Sequence, residues 1–405
     1  MLPEWLHGFG GMEPYKKLVK TVAATVLHPE AVLSFAYDWR LDVEHNAKIL
    51  AQEACAHLGR WRNHERLRDV RSHRNDDREP RLVFVAHSMG GLLVKAMFGL
   101  PVVQPDTRAV LTLGTPFAGS VKTMRMLAAG EGAPLGMSAE ATRRACLSMP
   151  GVYDLLPWYR CRVQGDDVVA LAPEDVIGLG SPRHLVNEAF ERRKRIAASE
   201  LPGHRAVVGV GQDTPQSLEL TGADVVTYNW GYRRNTRDEL IRESGRLVTE
   251  NLDGDGTVFL YSARTATTDG IPIAQQHQAL AASPASLRIV EKVITGATDL
   301  DTVLGDDADG TSLGLDVPDE VGAGQPLEIR IRSGHLPGEI SCAVEDTAQR
   351  DLAVRRPLVR GRRDQDVFLV RTEVDVPGLY RVRVSAGNAE VTKLVLAGVD
   401  DVGEG

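Results

Sequence analysis

One stretch constrains the fold more than any other: RLVFVAHSMGGLLVKAMF, residues 81 to 98, where an apolar run ends at a serine among small residues and a second apolar run follows. LVFVA is short and continuous, the mark of a strand covered on both faces of a parallel sheet. GGLLVKAMFGL reads as the helix that leaves it. A serine at such a turn takes a strained backbone that admits only small neighbours two residues before and after, and Ala86 and Gly90 meet that demand. The stretch therefore predicts a nucleophile elbow with Ser88 at its apex. The N–H of Met89, at the start of the helix, is then one oxyanion donor.

The same rhythm continues around it. YKKLVKTVAATV and HNAKILAQEACAHL have helical spacing, AVLSFAY (31 to 37), RAVLTLG and HRAVVGVG read as strands, and PASLRIVEKVI reads as the closing helix. Strand, helix and strand in alternation predict a doubly wound, mostly parallel α/β sheet over residues 1 to 298. Residues 121 to 203 are polar and helical and read as a cap inserted between two sheet strands. RWRNHERLRDVRSHRNDDREP carries both charge signs and few apolar residues, and is expected to be a solvated loop or frayed helix end. An acidic linker is expected at 299 to 311. Behind it, PLEIRIRS, EISCAVED, DVFLVRTEV and GLYRVRVSA alternate apolar and polar residues, which predicts an Ig-like antiparallel β-sandwich over 312 to 400.

Charge excludes some partners. The net charge of −8 offers no basic footprint for nucleic acid or an anionic bilayer. The 4 cysteines, Cys55, Cys146, Cys161 and Cys342, lack zinc-site spacing and read as small buried hydrophobes. No apolar run has the length of a spanning helix and no leader pattern opens the chain, so a cytoplasmic location is the expectation.

A serine hydroxyl needs a base, and the base needs an orienting acid, in the order serine, acid, histidine along such a sheet. NLDGDGTVFLYS places Asp255 in a glycine-flanked turn, with Asp253 as the competing acid, and IAQQHQAL places His277 just ahead of the closing helix. Asp255 is preferred, because its turn leaves the carboxylate pointing up from a strand end. Thr115 and Phe117 follow a strand C-terminus, the side on which open α/β sheets bind ligands, and are candidate pocket residues. In the cap, Tyr153, Leu156 and Trp158 either line a channel for an apolar ligand or form the cap's own core.

Four blocks, AYDWR (36 to 40), AHSMGG (86 to 91), LGTPFAGS (113 to 120) and GDGTV (254 to 258), resemble the lecithin:cholesterol acyltransferase and phospholipid:diacylglycerol acyltransferase family, in the family's order and across roughly residues 8 to 290. The resemblance implies an α/β-hydrolase fold, a triad matching Ser88, Asp255 and His277, and transfer of a fatty acyl group from a lipid ester through an acyl-serine to an alcohol or to water. It implies no cofactor. That family draws its second oxyanion donor from a loop after an apolar strand upstream of the YDWR block, whereas this sequence opens MLPEWLHGFGG. Either His7 to Gly11 form that loop, with Phe9 donating its N–H, or the strand lies before the first residue; comparison with the family favours the second. A lipase-type ester hydrolase, and an inactive binding protein in which the sandwich engages a partner, are the alternatives to acyl transfer.

Overall fold

A computed structural model describes residues 15–73, 79–132, 138–235, 239–265, 268, 270–297, 313–348, 352–361, 366–387 and 389–398. The opening segment with Phe9, and the expected linker at 299 to 311, lie outside these residues. At the centre is a parallel sheet of four strands, Leu82–His87, Thr107–Leu113, Arg205–Val210 and Ile271–Ala274, side by side in chain order. Side chains alternate across it, as the two-residue period of a strand requires. Leu111 and Leu113 face a layer that includes Leu18, Ile289 and Val293 from the helices Lys16–Thr25 and Pro284–Thr295. Val110 faces the other layer, with Val43, Leu50, Leu93 and Met97 from the helices Val43–Arg62 and Met89–Gly99. Helix Met89–Gly99 is buried nearly all round, which accounts for its unbroken apolar run.

Two expectations fail for physical reasons. AVLSFAY forms no strand: after the short turn Pro29–Ala31 the chain is extended, but among the described residues nothing pairs with it. A strand is a property of a pair, and apolar composition alone supplies only half of it. Phe35 and Tyr37 still pack against the layer holding Phe84. Up to His73 the charged stretch after Gly59 is mostly helical and not a loop, since helix Val43–Arg62 runs into it and Glu65–His73 is a second helix; residues 74–78 lie outside the described ones. Of its arginines, Arg62 donates to the Pro80 carbonyl and to Asp106, the latter at 2.7 Å.

The cap is more interleaved than a single insertion. Helices Lys122–Ala129, Ala139–Leu147 and Arg183–Ala197 share a core with a small sheet ordered Asp167–Val169, Arg162–Gln164, Ser217–Thr221, Asp224–Tyr228. The last two strands come after Arg205–Val210, so the cap extends past residue 203 and returns once the chain has visited the main sheet. Beyond residue 312, a three-stranded sheet (Gly314–Asp316, Pro326–Arg332, Val367–Glu373) faces a five-stranded one containing Ile340–Asp346, Gly378–Ala386 and Ala389–Gly398. Leu327, Ile329, Phe368, Val382 and Val384 fill the space between them, with alternate residues turned to water. Among the described residues the one departure from antiparallel pairing is an edge, where Glu320–Gly322 runs parallel to Leu396–Gly398.

Candidate active site

Ser88 sits between strand Leu82–His87 and helix Met89–Gly99 at φ 54° and ψ −131°, a conformation that costs a side-chain-bearing residue about 1–3 kcal/mol. Three hydrogen bonds hold it there. Its N–H donates to the Leu113 carbonyl at 2.9 Å, and its carbonyl accepts from Gly91 N–H and from Thr115 Oγ1, each at 3.0 Å. A Cβ on Gly91 would stand 2.1 Å from Thr115 Oγ1, so only glycine lets the helix start this close to the next strand. Met89, as the first helical residue, has an N–H with no acceptor inside the helix.

Asp255 is fully buried. Its Oδ1 accepts the N–H groups of Thr257 at 2.9 Å and Val258 at 2.7 Å, which leaves Oδ2 for the imidazole of His277, 2.7 Å from Nδ1. The His277 N–H also donates to the Asp255 carbonyl at 2.8 Å, so the acid turn grips both backbone and ring. Nε2 of the same ring lies 2.8 Å from Ser88 Oγ. An ionised carboxylate only accepts, so Nδ1 carries the proton and Nε2 offers its lone pair to the serine hydroxyl. The competing acid, Asp253, instead faces Arg332 of the sandwich at 3.7 Å. This arrangement can take a proton from a hydroxyl and stabilise the resulting imidazolium.

Sequence reasoning passed over His87, which lies beneath this pair. Its Nε2–H donates to the His277 carbonyl at 2.8 Å and its Nδ1 accepts from the Tyr15 hydroxyl at 3.0 Å, which fixes a neutral ring against the imidazole of His277, 4.9 Å between centroids. Burial pushes its pKa down to about 4, and the neighbouring His277 adds to the effect. Its position next to Ser88 was the available signal. The acidic turn also depends on Thr214, whose hydroxyl accepts from Gly256 N–H at 2.9 Å.

The other expected site residues are placed as follows. Thr115 and Phe117 are buried; Thr115 braces the elbow, and Phe117 packs on His204 (5.4 Å between centroids) with Lys95 Nζ 5.6 Å above its ring. Tyr153 and Leu156 are fully enclosed in the cap core, the Tyr153 hydroxyl donating to the Leu147 carbonyl, and in this conformation they have no surface to offer an acyl chain. Trp158 keeps some surface, packed edge-on against Phe190 at 4.8 Å. Three of the cysteines are buried and Cys55 partly so, all as free thiols.

Among the described residues, His28, Glu30 and His64 form a group close enough to share a metal ion. The hydrogen bonds give it another role. His64 Nδ1 accepts the Arg66 N–H at 3.2 Å, so its protonated Nε2 donates to Glu30 at 3.0 Å and presents no lone pair there. No helix among the described residues is long and apolar enough to cross a membrane.

The parallel sheet and the positive-φ serine between strand and helix define an α/β hydrolase, here followed by a β-sandwich. Residues 9–177 match the family model described as lecithin:cholesterol acyltransferase, and over that stretch the chain carries the family's pattern. The match ends before Asp255 and His277, so their approach to Ser88 is independent of it. No curated protein matches this chain. Among solved structures, lipase BlEst2 of Bacillus licheniformis in its propeptide form is 10% identical, covering 88% of this chain and 84% of its own, with a TM-score of 0.27. The sulfur carrier protein SoxY from Chlorobium limicola f thiosulfatophilum is 16% identical, covering 25% of this chain and 97% of its own, with a TM-score of 0.16. The M1 domain from titin is 14% identical, covering 21% and 89%, with a TM-score of 0.14. Scores this low carry no weight, and the fold rests on the sheet and elbow themselves.

Proposed function

We propose that this protein is a serine-dependent acyltransferase or ester hydrolase acting on lipid acyl esters, with Ser88 as nucleophile, His277 as general base and Asp255 as its orienting acid. The observation that carries the reading is the unbroken line from Asp255 Oδ2 through the His277 ring to Ser88 Oγ, with both hydrogen bonds under 3 Å. As Ser88 Oγ attacks the acyl carbon, its proton passes to His277 Nε2, and the negative charge that forms on the carbonyl oxygen meets the Met89 N–H. His277 then gives the proton to the departing alcohol, which leaves an acyl-serine. Water or an acceptor alcohol enters next, loses its proton to His277, and attacks the acyl carbon; the proton returns to Ser88 Oγ as the ester breaks. The lipid substrate is inferred from the family match to residues 9–177.

In this reading residues 1–298 are the hydrolase unit, 299–311 the connection and 312–400 an Ig-like accessory domain. The direct test is turnover of short- and long-chain nitrophenyl esters, with and without an added alcohol acceptor. Ser88→Ala is expected to lower kcat by about four to six orders of magnitude with the fold intact. Equal rates for the two proteins would end the proposal, and the yield of the alcohol's ester decides between transfer and hydrolysis.

A further inference from the structure

The sandwich meets the hydrolase unit along the loops that carry Asp255 and His277, and it does so through three glutamines. Gln275 and Gln276 stand between the last sheet strand and His277; Gln275 is almost fully buried. Its Oε1 accepts from Thr392 N–H at 3.1 Å and from Gln276 N–H at 2.9 Å, and its Nε2 donates to the Glu390 carbonyl at 3.1 Å. The amide thus binds the edge of strand Ala389–Gly398 much as a neighbouring peptide group would. Gln276 Nε2 donates to the Leu315 carbonyl at 2.6 Å and to Gln212 Oε1 at 2.9 Å. Gln212, buried as well, accepts from Leu315 N–H at 2.9 Å and donates to the Leu313 carbonyl at 3.1 Å.

The same residues reach the acid. Gln212 N–H donates to the Gly254 carbonyl at 3.0 Å, pairing that segment with the turn that holds Asp255. Arg332 on the sandwich surface bonds Asp213 and faces Asp253, one residue beyond Gln212 and two before Asp255. Gly314 approaches the Gly211 backbone so closely that a Cβ there would lie 2.7 Å from its carbonyl oxygen.

We infer that the C-terminal sandwich is the rear mount of the acid and the base, with Gln212, Gln275 and Gln276 as positioning residues that fix where His277 and Asp255 stand. The inference rests on the triad reading above. A buried amide carboxamide that loses its partners leaves unsatisfied groups on both sides, so the network holds one arrangement and resists small displacements. A base moved by about 1 Å costs on the order of a hundredfold in rate. The mount acts on the base and not on the ester, so its loss appears in kcat and leaves KM alone.

The test uses the full chain, with kcat, KM and thermal stability measured for Gln275→Leu, Gln212→Leu, Gln275→Glu and Arg332→Ala on one short-chain nitrophenyl ester. The leucine variants are expected to lose about 10- to 100-fold in kcat with KM within about twofold. Gln275→Glu keeps the acceptor oxygen but turns a second oxygen toward the Glu390 carbonyl, and is expected to lose kcat as the leucine variants do; Arg332→Ala, at a half-exposed position, lowers kcat by a few fold. A sandwich that only stabilises the fold would lower the melting temperature and leave kcat and KM as in the wild type, and that result overturns the inference. Should the leucine variants fail to fold, wild-type kcat in both Gln275→Glu and Arg332→Ala overturns it equally. Full activity in His277→Ala would instead sink the triad reading itself.

Discussion

Ser88 pays for its position in backbone strain, and the residues around it explain why it stays: an acceptor for its N–H in the Leu113 carbonyl, two donors to its own carbonyl, and no side chain at Gly91. Gly209 serves the acid in the same way, since a Cβ there would lie 2.3 Å from Asp255 Cβ. Two histidines, the partly buried His87 and the buried His204, add a pH dependence. His87 and His204 are both pushed down to about 4, mainly by burial; His204 is cradled by the Thr112, Thr265 and Thr268 hydroxyls, with Lys95 and Arg205 opposing its charge. The unfolded chain takes up protons on these rings below about pH 6.5, while the folded chain does so only near pH 4. Their contribution is therefore complete above about pH 6.5 and is lost as the pH falls toward 4. Melting temperatures followed from pH 7.5 to 4.5 (about these limits) are expected to fall, with a shallower slope in His204→Gln. An unchanged slope in that variant contradicts the assignment.

The elements that carry the serine were legible because each has a local cause. A short apolar run bounded by small residues gives the strand, and an apolar helix follows it; both lie where the sequence places them. AVLSFAY was misread because pairing cannot be seen in one segment, and the charged stretch after Gly59 because charge does not oppose a helix whose ends find partners. Between elements, the most demanding contact is ionic. Arg192 on helix Arg183–Ala197 meets Asp154 at 2.7 Å, both almost fully buried, and the other Asp154 oxygen accepts Val43 N–H at 2.8 Å, tying the cap to the start of helix Val43–Arg62. Burial pushes Asp154 up to about 6 even with Arg192 beside it. Arg192→Met strands that carboxylate and is expected to cost about 3–5 kcal/mol near neutral pH. Denaturant unfolding at pH 5 and pH 8 checks this: the deficit shrinks at the lower pH, where a protonated Asp154 needs no cation. A deficit equal at both pH values counts against it.

At the scale of the whole molecule, the sequence disclosed the two kinds of architecture through their different periods, and disclosed the serine, the acidic turn and the late histidine through turn chemistry. It could not disclose the join. Gln275, Gln276 and Gln212 are neutral amides with no periodicity to mark them, and the contacts of Gln276 and Gln275 with the sandwich span 39 to 117 residues. His87 was hidden for a similar reason, as its partner carbonyl is 190 residues away. The account's central claim is that Ser88 is an activated nucleophile, and covalent trapping tests it most directly. Treatment of the folded protein with an alkyl fluorophosphonate, followed by peptide mass spectrometry, is predicted to place one adduct on Ser88 and to lose it in His277→Ala. An unmodified Ser88, or an equal adduct on the protein lacking His277, would contradict the claim.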